Sequence, residues 1–427
     1  MQFRITDGRH ALSMSLFLVF LCEMRYNGIY SEEEGRMQKR RTAMTIVFAC
    51  AFMLCGCSGR MPSHTLVAKD EYGRFGTQAR WVYVADEITD HDRIWERVCD
   101  RAEQIESDVS TEEAASSIDR FNKADVGERV PIGKDAYEML KIAQSVCEET
   151  EGAYNPATGL LVDLWGFSPR FHLANYVPEE PYDRENFMEE LPDEKYIEAF
   201  SSENILDFGA VELKEEGGKY YAFKPADAHV TVDGEPYTMQ LNLGGIGKGY
   251  CADEVSAILR EEGQIYGYYN VGGSSMSLFA DPTREGEIWE ITVNSPRSSF
   301  RTYYYATLRV RDTMISTSGD YEQYYEIDGT RYCHIIDPQT GKPVGAGSHI
   351  VCASVVGGTA AEGDARATAI CCMDLKEAVD YASKYADEFR VLFLYYDAEK
   401  DSYTAYSNLD EDDWAVDEPT VAREEIK

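Results

Sequence analysis

Leu241-Asn242-Leu243-Gly244-Gly245-Ile246-Gly247-Lys248-Gly249-Tyr250 is the stretch on which the reading of this chain turns. Thr238 to Leu243 reads as extended, the glycines as a tight turn, and a helix is expected from about Gly249 to Glu262, stopped by Gly263. Glycines let backbone approach a ligand closely, and a helix N-terminus offers free amides to a phosphate. Lys248 adds a positive charge at that end. Lys248 is followed by Gly249 and not by Ser or Thr, so this is no Walker A loop. The Gly245-x-Gly247-x-Gly249 spacing is also wrong for a Rossmann fingerprint.

The flanking sequence does not restore a regular βαβ repeat. Ala79 to Val84 reads as a strand, and Ile94, Trp95, Val98, Ala102 and Ile105 recur at helical spacing within Ile88 to Ile105. Asp135 to Thr150 is a second expected helix, and another spans about 360–386. Ile205 to Leu241 and Trp289 to Val310 are strand-rich, while 170–200 is a Pro-, Glu- and Asp-rich surface excursion with a short helix. Mixed runs of this kind predict the α+β class.

Composition narrows the partners. The 427 residues carry a net charge of −35 with 44% hydrophobic residues, enough to bury a core and unfavourable for nucleic acid or anionic lipid. An anionic ligand therefore needs local positive charge or a bound cation. Lys39-Arg40-Arg41, the apolar run Thr42 to Leu54 and Leu54-Cys55-Gly56-Cys57 resemble a bacterial lipoprotein signal, with Cys57 the lipidated residue. Met37 directly precedes the basic cluster, so translation is expected to start there and residues 1–36 to be a mis-assigned extension. The expected organisation is 37–56 signal peptide, 57–70 tether, 71–407 main domain and 408–427 solvated acidic tail. Localisation would be the extracytoplasmic face of the cell membrane. Seven cysteines lie beyond Cys57 without metal spacing and favour buried free thiols.

Further segments carry chemistry. Ile315-Ser316-Thr317-Ser318-Gly319-Asp320-Tyr321 is dense in hydroxyls, and His334-Ile335-Ile336-Asp337-Pro338-Gln339-Thr340-Gly341 follows it. Asp364 and Thr368, within Thr359 to Ala369, are four residues apart and share a helix face. A carboxylate with a hydroxyl suits a hard cation such as Mg²⁺, although the spacing alone fits an ordinary helix surface equally well. His334 by itself fits a structural strand-end histidine as well as a base.

Together with Ser117–Asn122, Tyr154–Gly159 running into Leu164–Phe167, and Tyr269–Gly273, these segments resemble the FAD:protein FMN transferases, the ApbE-type flavin transferases. The motifs occur in the family's order from about Phe75 to about residue 400. The resemblance implies an α+β catalytic unit of two intertwined lobes with the flavin site between them. It implies Mg²⁺-dependent transfer of FMN from FAD to a threonine of an acceptor flavoprotein, a subunit of a membrane redox complex, with release of AMP. It places metal ligands at the Gly245 carbonyl, Asp364 and Thr368, an FAD contact at Lys248 and the base at His334. Flavin contacts are implied at Phe75, Trp165, Gly166, Phe167, Asn242, Ser318, Tyr321, Ile335 and Ile336. Asn242 stands where the family usually has Asp, and Phe75 where it often has Met. Asp337 either orients His334 or caps its own turn. Two alternatives keep part of this picture: hydrolysis of FAD to FMN and AMP, and a flavin-binding lipoprotein without chemistry.

Overall fold

Nine strands follow one another in the chain and keep that order in space. The structure is a computed structural model that describes residues 3–6, 66–86, 88–167, 191–281 and 288–427. The central sheet runs β1 (Leu66–Arg74), β2 (Thr77–Val84), β3 (Gly267–Val271), β4 (Ser275–Phe279), β5 (Thr313–Gly319), β6 (His349–Val356), β7 (Arg390–Asp397), β8 (Ser402–Ser407) and β9 (Val421–Glu425). Neighbours are antiparallel until the last pair, β8 and β9, which is parallel. Long insertions between strands build the rest.

Both faces of this sheet are buried, and the alternation along its strands shows how. Ala79, Trp81 and Tyr83 of β2 face helices α1 (His91–Val109), α2 (Lys134–Glu149) and α3 (Gly247–Glu261). Val82, between them, faces the other side and joins Trp289, Ile291, Leu308 and Trp414 of a smaller sheet. That sheet contains Ile288–Asn294, Tyr304–Val310 and Trp414–Val416, with Phe3–Thr6 paired along Ile288–Asn294. Helices α4 (Ala360–Cys372) and α5 (Leu375–Lys384) cover β6 and β7 through Ile370, Ala378, Ala353 and Phe393. The α+β expectation holds.

Three boundaries differ from the sequence reading. The expected 57–70 tether overlaps β1, which starts at Leu66 and pairs along β2. The expected acidic tail 408–427 is part of the fold, because Trp414 and Val421 are apolar anchors within the acidic run and Val421–Glu425 pairs with β8. The helix expected over about 360–386 is two helices. The Asp374 side chain accepts from Glu377 N at 2.8 Å while Glu377 Oε2 accepts from Asp374 N at 2.9 Å, a reciprocal cap that starts a new helix. The seven cysteines among the described residues are free thiols, as expected. No described helix is long and apolar enough to cross a membrane. The signal peptide, Cys57 and most of the 1–36 extension lie outside the described residues.

Candidate active site

The separated motifs meet because each grips the backbone of the next. Asn122 holds both sides of Leu241, accepting from its N–H at 2.7 Å and donating to its carbonyl at 3.0 Å. The Asn242 N–H donates to the Pro156 carbonyl at 2.8 Å, fixing Tyr154–Gly159 alongside the strand that enters the glycine turn. Gly159 approaches Gln240 so closely that a Cβ there would lie 2.6 Å from the Gln240 carbonyl oxygen. On the far side of the turn, the Gly249 N–H donates to Asp364 Oδ2 at 3.0 Å.

That last bond defines the centre of the site. A Cβ on Gly249 would lie 2.1 Å from the Ala360 carbonyl, so glycine is required there by helix-to-helix approach. Helix α4 is held in place by Asp253 of α3, whose two carboxylate oxygens accept from Ala360 N and Ala361 N, each at 2.8 Å. Burial pushes the Asp253 carboxyl up to about 6, although both amides favour its charged form. Helix α3 itself starts at Gly247, two residues earlier than expected.

Asp364 is 2% exposed and so lies inside the protein, not on a helix surface. Burial raises its pKa, against the pull of the Lys248 charge, the Gly249 N–H and the nearby Ser275 hydroxyl. Ser275 Oγ is buried without a well-formed hydrogen bond, so its influence on Asp364 is that of a close dipole. The Thr368 hydroxyl donates to the Asp364 carbonyl at 3.1 Å and lies 3.1 Å from Ser318 Oγ. A side chain at Gly245 would come within 3.3 Å of both the Thr368 hydroxyl and the Tyr154 ring. Gly245, Ser318, Asp364 and Thr368 are therefore one cluster, with Lys248 close enough to act on Asp364.

Among the described residues there is no group of three or more His, Cys, Asp or Glu that could hold a metal ion. One carboxylate with hydroxyl and carbonyl oxygens is a hard donor set, suited to a cation that keeps water and takes phosphate oxygens. A buried carboxylate with the Ser275 hydroxyl close by and the unpartnered Tyr154 hydroxyl in the same region fits such an ion.

The base candidate is held by a carbonyl. His334 Nδ1 lies 3.2 Å from the Gln323 carbonyl, whose oxygen also accepts from His334 N at 3.0 Å. A carbonyl only accepts, so this contact puts the proton on Nδ1 and the lone pair on Nε2. The Asp337 carboxylate accepts from Gln339 N at 2.9 Å and Thr340 Oγ1 at 2.8 Å. Of the two roles weighed for it, the structure supports turn capping.

The flavin-side residues divide. Phe75 sits at the tip of the β1–β2 hairpin with φ +49°, its N–H donating to Glu106 Oε1 at 2.6 Å and its ring 3.4 Å from where a Gly247 side chain would stand. It covers the start of α3. Asn242 accepts from Gly244 N at 2.8 Å through its side-chain oxygen, so the acceptor expected to meet FAD also ties the turn. Trp165 is a core residue, 2% exposed, and its indole donates to the Gly341 carbonyl at 2.8 Å. Ile335 and Ile336 are likewise buried, in two different clusters, and offer little surface to a ring. Phe167 stacks on Tyr325 beside Gly166, whose φ is +74°. Tyr321 lines a small cavity with Thr317, Gly272, Gly273 and Asn294 on the opposite side of β5 from Thr368.

Sequence reasoning gave no role to Tyr154, Ser275, Asp253 or Asp320. Asp320 accepts two hydrogen bonds from Arg297, at 2.7 and 2.6 Å, and lies 3.0 Å from His349 Nε2. Tyr154 and Asp320 could have been suspected, since each stands inside a recognised motif.

The profile of the ApbE family matches residues 75–393. The FAD:protein FMN transferase of Escherichia coli K12 is 28% identical over 265 residues, which is 61% of this chain and 66%, just under two thirds, of that relative. The Salmonella typhimurium protein of the same name is 26% identical over 78% of this chain and 87% of its own length. Among solved structures, the flavin transferase ApbE from Vibrio cholerae superposes with a TM-score of 0.63 at 24% identity, covering 81% of this chain and 97% of that one. The ApbE protein of Thermotoga maritima gives 0.63 at 22% identity, covering 79% and 96%; both likenesses concern the fold.

Proposed function

Since the chain belongs to the ApbE family, we propose that it is a flavin transferase that moves FMN from FAD to a threonine hydroxyl of an acceptor flavoprotein and releases AMP. The observation that carries this reading is the Gly249–Asp364 hydrogen bond. It joins the phosphate-type glycine turn to the Asp364/Thr368 cluster, so one site offers amides, a lysine and hard oxygen donors to a single pyrophosphate.

The chain's own residues divide the work. Lys248, at the N-terminal end of α3, meets the pyrophosphate charge that the acidic protein as a whole would repel. Asp364, Thr368 and the Gly245 carbonyl would hold Mg²⁺, which when bound neutralises charge on the phosphates and on the departing AMP. His334 receives the proton of the acceptor threonine at Nε2. The threonine oxygen then bonds to the FMN-side phosphorus as the bond from that phosphorus to the bridging oxygen breaks. FMN is left in phosphoester linkage and AMP carries away the electron pair. Positioning supplies most of the rate in reactions of this type.

Lipidation at Cys57 would hold the enzyme on the outer face of the cytoplasmic membrane, where a membrane redox subunit is the fitting acceptor. The function is tested by incubating the protein with FAD, Mg²⁺ and a threonine-containing acceptor peptide, followed by mass spectrometry. A gain of one FMN on the peptide supports transfer. Stoichiometric AMP and free FMN with an unmodified peptide would replace it with hydrolysis.

A further inference from the structure

Tyr154 is the unexplained residue of the site. It is 3% exposed, and its hydroxyl is buried with no hydrogen-bond partner. An orphaned buried hydroxyl forfeits its hydration without return and calls for a partner outside the protein. Its surroundings say where that partner sits. One edge of the ring, next to the hydroxyl-bearing carbon, is 3.3 Å from the position a Gly245 side chain would take, and the phenol senses the charge of Asp364. The Ser275 hydroxyl lies close to the same Asp364 carboxylate.

The ring's placement is built into the fold. Tyr154 N–H donates to Thr150 Oγ1 at 3.2 Å, and Thr150 Oγ1 donates to the Val146 carbonyl at 2.7 Å, tying the residue to the end of α2. The Pro156–Asn242 bond fixes the other flank. Phenylalanine would fill the same apolar space, so the hydroxyl has no packing reason to be present. A neutral phenol is a poor direct ligand for a hard cation but accepts and donates hydrogen bonds well. Small hard cations retain several waters, and those waters need partners in a buried site.

We infer that Tyr154 is a positioning residue for the cation site, its hydroxyl hydrogen-bonding a water carried by the divalent cation that Asp364 and Thr368 hold. This rests on the cation assignment made above. Partners one step removed from a metal typically change its affinity by about 10- to 100-fold when lost.

The test uses Tyr154→Phe, which removes only the oxygen, alongside wild type and Asp364→Asn. Calorimetric titration with MgCl₂ alone, without FAD, gives the Mg²⁺ dissociation constant, and melting is followed with and without Mg²⁺. The expected result is Mg²⁺ binding weakened by about 10-fold or more in Tyr154→Phe, with the metal-free melting temperature unchanged or higher. Unchanged Mg²⁺ affinity in Tyr154→Phe, with binding abolished in Asp364→Asn, would overturn this inference and leave the cation assignment standing. A metal-free melting temperature that falls would also overturn it, by showing a partner within the protein. Wild type that binds no Mg²⁺, or Asp364→Asn that binds as wild type does, would overturn the cation assignment and this inference together.

Discussion

His334 and Asp364 differ in what their loss should do to the fold. His334 is partly exposed and held through Gln323, so His334→Ala should leave the melting temperature and FAD affinity near wild type. Transfer should fall by about 10²–10⁴, and less at high pH where hydroxide substitutes. Rate, affinity and melting measured on this variant check the assignment, and parallel losses in all three would mark a structural histidine. Asp364 is buried and electrostatically costly, so Asp364→Asn, which keeps an acceptor for Gly249 N, should melt no lower than wild type without metal. It should lose transfer and the stabilisation given by Mg²⁺. A metal-independent Asp364→Asn enzyme would refute the ligand role.

Between elements, the α3–α4 crossing is the sensitive joint. Gly249 has no room for a Cβ against the Ala360 carbonyl, so Gly249→Ala must separate the helices that carry Lys248 and Asp364. Overpacking of this kind costs about 1–3 kcal/mol. The expected outcome is a lower urea midpoint together with weaker FAD binding. A wild-type midpoint would mean that the crossing is looser than described. A second joint is the indole of Trp165, which spans 176 residues of sequence to hold the Gly341 end of the turn after His334. Trp165→Phe removes that bond, at about 1 kcal/mol, and should lower the transfer rate more than FAD affinity, as steady-state kinetics beside a binding titration would show.

For the molecule as a whole, the buried Asp320 network links the β5 end, the loop containing Arg297 and the start of β6. Burial alone would push the Asp320 carboxyl up, but the paired Arg297 bonds and His349 outweigh it and hold it below its ordinary value. A carboxyl depressed in the folded state stabilises the protein above its unfolded pKa, near 3.9, and that contribution is lost as pH falls through the folded value. Asp320→Asn should cost about 3–5 kcal/mol at pH 7, because Arg297 is left buried and uncompensated. It should also flatten the loss of stability below about pH 4, the unfolded value. Urea unfolding at pH 7 and through the acid range measures both, and an unchanged acid limb would show that the network titrates elsewhere.

The sequence by itself determined the family and the α+β class, and it singled out Gly245, Asp364 and Thr368, which the structure brings together, because motif order and residue chemistry are local properties that survive without coordinates. Helix spans such as 91–109 and 134–149 were legible to within a few residues from apolar spacing. The tail was misread because acidic composition outweighed two apolar anchors, Trp414 and Val421, whose partners are distant in the chain. The burial of Trp165 was not legible for a similar reason: an aromatic reads alike whether it lines a pocket or fills a core. Tertiary structure alone decided that Asp364 is buried, that Gly249 serves a helix crossing, that Asp337 caps its own turn and that the Tyr154 hydroxyl is left without a partner. Each of these depends on which atoms lie within about 3–4 Å across the fold, and burial and hydrogen bonding are set by that proximity.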